Sequence, residues 1–247
     1  MTEADHPKTS WSTLPWHRQW LAKQAEGLFD FFQYRAINPK GGFFDLDRQG
    51  APLKPDNPVR GIHMSARMVH CFSIGHLLGR PGCGDIIDHG MTYLWNNHRD
   101  GEHGGYFWQV DENGPVDASK QGYGHAFVLL AASSAKSVGH PLADKMLADI
   151  TEIIETKFWE EKFGAINEEF YRDWSRIENY RGQNSNMHLT EALMAAFEAT
   201  GDREYLQKAE RIADLIIRRA AAALDFRVPE HFDENWVLDK DYRGNEM

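Results

Sequence analysis

The chain contains only two cysteines in 247 residues, Cys71 and Cys83. That is too few for a disulfide framework. Cys71 falls inside an apolar helical pattern and Cys83 in a turn, so both read as small hydrophobes rather than as reactive thiols. Positive charge is also scarce: 27 Lys and Arg stand against 37 Asp and Glu, a net charge of −10, with no basic block. This balance argues against a nucleic-acid surface or a patch for anionic membranes and favours a small neutral ligand. No apolar run approaches the length of a membrane span. The opening residues Met1-Thr-Glu-Ala-Asp lack a basic stretch followed by an apolar one. A soluble, cytoplasmic protein is expected.

Aromatic residues are plentiful instead, at 12% of the chain with eight Trp, and 42% of all residues are hydrophobic. This supports one domain over 1–247 with a sizeable core. Most such rings fill cores, but rings beside polar groups are also a common way to hold sugars.

The residues are organised as a repeat. A first helix is predicted over Trp16 to Tyr34, with Trp20, Leu21, Ala25, Leu28, Phe29 and Phe32 on its apolar face. Three similar units follow, each a short hairpin, a helix, a glycine turn and a return helix. The hairpins are Asn38 to Gly50, His103 to Gly114 and the strand opening at Phe163. The helices after them run from about Val59 to Leu78, Lys120 to Ser137 and Asn186 to Ala199. The return helices span Asp85 to His98, Leu142 to Phe158 and Arg203 to Ala223. The turn glycines Gly79, Gly139 and Gly201 recur about every sixty residues, too long a period for the common helical solenoids. A closed ring of helical hairpins fits better. The first helix of each pair carries small residues (Ser73, Gly75, Ala131, Ser133, Ala195), as expected where helices crowd a shared centre. The return helices carry charge (Arg203, Lys208, Glu210, Arg218), as expected of an outer layer. A fourth hairpin opens at Arg227 to Trp236 and the sequence stops at Met247, so the ring is expected to be open at its C-terminal side. A further stretch of chain, a second copy or another subunit would complete it.

The inner helices of such a ring bring their leading ends to one mouth. At the third of them, Arg181-Gly-Gln-Asn-Ser-Asn-Met-His188 crowds two Asn and a His beside an Arg and a Gln. Capping accounts for one Asn. The surplus marks a site for a polar ligand. Glu230 and His231, on the fourth hairpin, are placed toward the same mouth. Two other groupings are weaker: His98 and His103 lack a third fixed ligand for a metal. Asp45, Asp47, Asp111 and Glu112 lie on hairpins, where a two-carboxylate glycosidase would need a facing pair.

Three stretches resemble the N-acylglucosamine 2-epimerase superfamily, most closely its aldose–ketose (mannose) isomerase branch. They are Arg181-Gly-Gln-Asn-Ser-Asn-Met-His-Leu-Thr-Glu-Ala192, Gly104-Gly-Tyr-Phe-Trp108 and Lys120-Gln-Gly-Tyr-Gly-His-Ala-Phe127. The resemblance runs from Trp16 to Trp236. It implies an all-α (α/α)6 barrel of helical hairpins, with short β-hairpins at one mouth. It also implies a monosaccharide substrate and proton transfer through a cis-enediol with no metal or other cofactor. C2 epimerisation, glycoside hydrolysis on the same barrel and sugar binding without turnover are the alternatives. By position, Arg67 in His63-Met-Ser-Ala-Arg-Met-Val-His70 and His188 take the catalytic roles, with Tyr123 and Asn184 contacting substrate; His63, one turn before Arg67, and Glu230, on the fourth hairpin, are expected to contact it as well. Close relatives often carry an aromatic residue where His63 stands. The resemblance places two further acid–base histidines in repeats beyond Met247.

Overall fold

The computed structural model describes residues 10–177 and 179–242. Helix α1 (Pro15–Gln33) begins with proline in its first turn, where the missing N–H costs nothing. Three helical hairpins follow: α2 (Ile62–Leu77) with α3 (Cys83–Tyr93), α4 (Gly122–Ser137) with α5 (Ala143–Ile153), and α6 (Gln183–Thr200) with α7 (Arg203–Ala213). The glycines closing the hairpins, Gly79, Gly139 and Gly201, all have positive φ between 74° and 83°. That conformation is nearly free for glycine and costly for other residues. The return helices all widen into π-helical turns, at Leu94–His98, Ile154–Phe158 and Asp214–Ala221, so the repeat extends to this irregularity.

Helix α4 packs between α2 and α6, and each of these inner helices packs on its own return helix. Its two inner neighbours explain why twelve of the sixteen α4 residues are buried. The flanking helices keep one open side: Met64 and Ile74 on α2, and Met187 and Met194 on α6, are exposed.

The mouth is built by a staircase of short pairings. The residues before each inner helix form a strand that pairs with the hairpin of the next repeat. Thus β1 (Arg60–Gly61) pairs with β2 (Gln109–Asp111), which continues to β3 (Gly114–Asp117). In the same way β4 (Lys120–Gln121) pairs with β7 (Glu169–Phe170), and β8 (Tyr180–Gly182) with β9 (His231–Asp233). Strands β5 (Trp159–Glu160) and β6 (Ala165–Ile166) pair locally. The first N–H groups of the inner helices, which no helical carbonyl can satisfy, donate in turn to the following repeat: Ile62 to Trp108 O, Gly122 to Glu168 O and Gln183 to Glu230 O, at 2.7–3.0 Å. Each helix start is therefore fixed by a residue some forty-six positions downstream. This is what draws the three leading ends together.

At one stair the approach is closest. A Cβ on Gly122 would stand 2.8 Å from the carbonyl oxygen of Asn167 and 2.9 Å from Ile166 Cδ1. Because backbone blocks it, Gly122→Ala is expected to cost about 1–3 kcal/mol. Urea unfolding of the two proteins measures this, and equal stabilities would show that the stair yields.

Beneath the mouth, Lys120 and Asp100 are fully buried and joined at 2.9 Å, with Arg172 Nε also 2.9 Å from the Asp100 carboxylate. Burial alone would raise the Asp100 carboxyl. Hydrogen bonds from Arg172 and Lys120 outweigh it and hold the group well below the usual carboxylate range. Burial draws Lys120 the other way, down to about 8.

Two expectations are corrected. The segment Asn38 to Gly50 is not a hairpin of regular strands; it holds two isolated bridges, Ile37 to Phe43 and Leu46 to Pro52. Glycines at positive φ (Gly41, Gly42, Gly50) break the run before a ladder can extend. Helix α1 does not bury the predicted face: Trp20, Leu21 and Leu28 are 45%, 47% and 63% exposed, while Phe29 and Phe32 pack on the core. Periodicity identified the stripe, but only one edge of it meets α2. Among the described residues, no helix is long and apolar enough to cross a membrane.

Candidate functional site

Four of the six predicted site residues come together at the mouth. Arg67, one and a half turns into α2, reaches across to α4, where Nη2 donates to the Tyr123 hydroxyl at 2.9 Å. Its guanidinium also lies 4.3 Å from the Phe127 ring centroid, a cation–π contact. From α6, the His188 imidazole meets Tyr123 edge-on at 5.2 Å and Phe127 at 4.7 Å. His63 stacks on Trp108 at 4.8 Å and touches Tyr123 at 5.8 Å. Residues from three inner helices thus converge on one phenol.

The hydrogen bonds fix which groups donate. Because the Tyr123 oxygen accepts from Arg67, its own proton is free for another acceptor. Deeper in the lumen, the Ser134 hydroxyl donates to Leu130 O at 2.7 Å, so its oxygen must accept from His70 Nδ1 at 2.8 Å. His70 is held neutral by burial, opposed in part by Glu191. Burial, then the neighbouring Arg67 cation, likewise lowers His63. The site therefore gathers the permanent Arg67 cation and imidazoles whose charging is opposed by burial at His63 and His70, groups that can give and take hydrogen bonds with hydroxyls.

The other two predicted residues lie at the rim. Asn184 is exposed on the first turn of α6, one turn before His188 and on the same face. Glu230 holds the same stair position as Trp108 and Glu168, with its carbonyl on Gln183 N and its carboxylate 3.9 Å from His231 Nε2. The expected Asn cap is corrected: the cap position of α6 is Gly182 with no side-chain cap bond, and Asn186, fully buried in the second turn, instead ties α6 to β6 by accepting from Ile166 N and donating to Gly182 O.

Sequence reading missed Trp108, Phe127, Ser134 and Glu168. Phe127 was findable, lying one turn from Tyr123. Trp108 and Glu168 were not, because only the stair pairing shows that they occupy equivalent places. The Glu168 carboxylate accepts from Gly182 N and the Ser185 hydroxyl, and burial raises its carboxyl. Its backbone carbonyl holds Gly122, so this residue spaces the helix of Tyr123 from that of His188.

Of the hairpin carboxylates, Asp45 lies near enough to His63 to raise it, against burial and Arg67. Asp47 and Asp111 accept backbone N–H groups of their own turns, and Glu112 pairs with exposed Lys40. His98 is buried against Phe107 O, whereas His103 lies beside Glu102.

Inner helices paired with outer returns, with polar side chains from three inner helices gathered around Tyr123, define a protein of the (α/α)6-barrel class. Residues 41–247 match the family model described as N-acylglucosamine 2-epimerase (GlcNAc 2-epimerase), and the chain belongs to that family. It is 43% identical over 241 residues to a D-mannose isomerase of Thermobifida fusca, covering 96% of this chain and 58% of that protein. It is 32% identical over 204 residues to a cellobiose 2-epimerase of Dictyoglomus turgidum, covering 77% and 51%. A crystal structure of D-mannose isomerase superposes with a TM-score of 0.87 at 34% identity, covering 93% of this chain and 59% of that one. The chain thus spans somewhat over half the length of these relatives.

Proposed function

We propose that the chain carries the sugar-binding side of an aldose–ketose isomerase acting on a free hexose, with D-mannose and D-fructose as the pair. The observation that carries this reading is the bond from Arg67 to Tyr123 across α2 and α4, with His188 packed against the same phenol. Isomerisation moves a proton between C1 and C2 of the opened sugar, and negative charge builds on O1 and O2 along the way. A fixed guanidinium beside those oxygens stabilises the cis-enediolate, and the free Tyr123 proton adds a second donor. Asn184 and His63 position other hydroxyls. His188 binds the sugar and assists ring opening, while the C1/C2 proton itself is carried by an acid–base pair with affinities near neutrality.

The similarity to D-mannose isomerases favours this over C2 epimerisation, which shares the first proton abstraction. Because the resemblance places the acid–base pair in repeats beyond Met247, the chain joined to those repeats is incubated with D-mannose, and chromatography of the products separates the readings. D-fructose is expected. Accumulation of D-glucose would replace the isomerase reading with epimerisation, and hexose binding without turnover would reduce the chain to a sugar-binding module.

A further inference from the structure

We propose that Glu191 is a positioning residue that locks His188 in one tautomer, with the proton on Nδ1 and Nε2 left as the acceptor. Glu191 lies one helical step after His188 on α6, and its Oε2 is 3.1 Å from His188 Nδ1. An ionised carboxylate has no hydrogen to give, so the imidazole must be the donor in this bond. In the neutral ring that places the single N–H on Nδ1 and leaves Nε2 as an acceptor.

The surroundings of the ring support the assignment. Among the described residues, Nε2 has no hydrogen-bond partner, and it is not one of the buried unpaired atoms. The ring cannot readily turn over to exchange its nitrogens, because Tyr123 holds it edge-on at 87° and Phe127 packs on it at 4.7 Å. The opposing wall is the converse: Arg67 has only donors, and the Tyr123 proton is unclaimed once its oxygen accepts from Arg67. Around the Tyr123 phenol, Arg67 and Tyr123 therefore present donors and His188 Nε2 an acceptor. A sugar hydroxyl, which both gives and takes a hydrogen bond, fits between them.

For the ring opening proposed above, the consequence is that Nε2 takes the O1 hydroxyl proton as C1=O forms and the C1–O5 bond breaks, O5 taking a proton from water, rather than His188 delivering one. This consequence rests on the isomerase reading; the tautomer does not.

The test uses the chain labelled with 15N at histidine. Two-bond 1H–15N correlation spectra are recorded at alkaline pH, where the imidazoles are neutral, and His188 is assigned by the signals lost in His188→Gln. The expected wild-type pattern is a pyrrole-type Nδ1 and a pyridine-type Nε2. Glu191→Ala is expected to invert the two shifts, because Nε2–H becomes the majority form once the acceptor is gone. Glu191→Gln, which keeps a carbonyl acceptor, should restore the wild-type pattern. A pyrrole-type Nε2 in the wild type would overturn the proposal outright, as would an Ala variant with unchanged shifts. None of these spectra depends on turnover, so the expected shifts together with inertness of the chain joined to its further repeats would refute the isomerase and leave the tautomer standing.

Discussion

Arg67→Ala is expected, in the complete enzyme and for the isomerisation proposed above, to lower turnover by about 10²–10³-fold with the fold intact. The magnitude follows from what removal of one preorganised donor to a developing oxyanion costs in other enzymes, roughly 3–4 kcal/mol. The effect should fall mainly on kcat, since the charge that Arg67 meets exists in the enediolate and not in the bound sugar. Losing the guanidinium also frees the Tyr123 hydroxyl to rotate, because that bond is what orients it. Arg67→Lys is expected to recover little: an ammonium cannot both donate to Tyr123 and lie flat on Phe127 while keeping further donors for the sugar. Steady-state kinetics of the three proteins, with thermal unfolding to check the fold, measure this. A rate within a factor of a few of wild type for the Ala variant would remove Arg67 from the mechanism. A rise in KM alone would make it a ground-state binder.

Much of this arrangement was legible in the residues. The spacing of Gly79, Gly139 and Gly201 located the hairpins, and small residues on alternate helices separated inner from outer layers. The excess of polar side chains at Asn184 to His188 located the mouth. The stair pairing was not legible. It joins Ile62 to Trp108, Gly122 to Glu168 and Gln183 to Glu230 through backbone atoms, and backbone atoms leave no side-chain signature. The open face of α1 escaped for a related reason: periodicity reports which residues share a stripe, and only packing reports how much of that stripe is covered. The opposite roles of Asn184 and Asn186, two residues apart, likewise follow from which face meets β6.

The same dependence on buried backbone bonds makes the fold acid-sensitive, and loss of stability below pH 6.5 is the second large effect expected. His98 and His125 are fully buried. His125 is spent on structure, accepting from Tyr106 N and donating to Gln121 O. Burial depresses His98 to about 4 and His125 to about 3, overriding the carbonyl bonds that pull the other way. In the unfolded chain both would titrate near 6.5. Above that pH their contribution is complete. As pH falls through 6.5 the unfolded state takes up protons that the folded state refuses, so stability declines until the folded values are reached. Each imidazole gives a slope of about 1.4 kcal/mol per pH unit, so the pair costs the fold roughly 2–3 kcal/mol per unit between pH 6 and about 4. His63 and His70, also lowered by burial, act in the same direction. So does Asp100 at still lower pH, where the acid that protonates it breaks its bonds to Lys120 and Arg172. Glu168 opposes them, because burial raises its carboxyl in the folded state. Urea unfolding at half-unit steps from pH 7.5 to 4.5 measures the slope. His125→Gln, less stable at neutral pH but without that titration, should lose stability on acidification distinctly less steeply. A wild-type protein whose unfolding free energy is flat across this range would show that the two imidazoles gain protons without leaving their places.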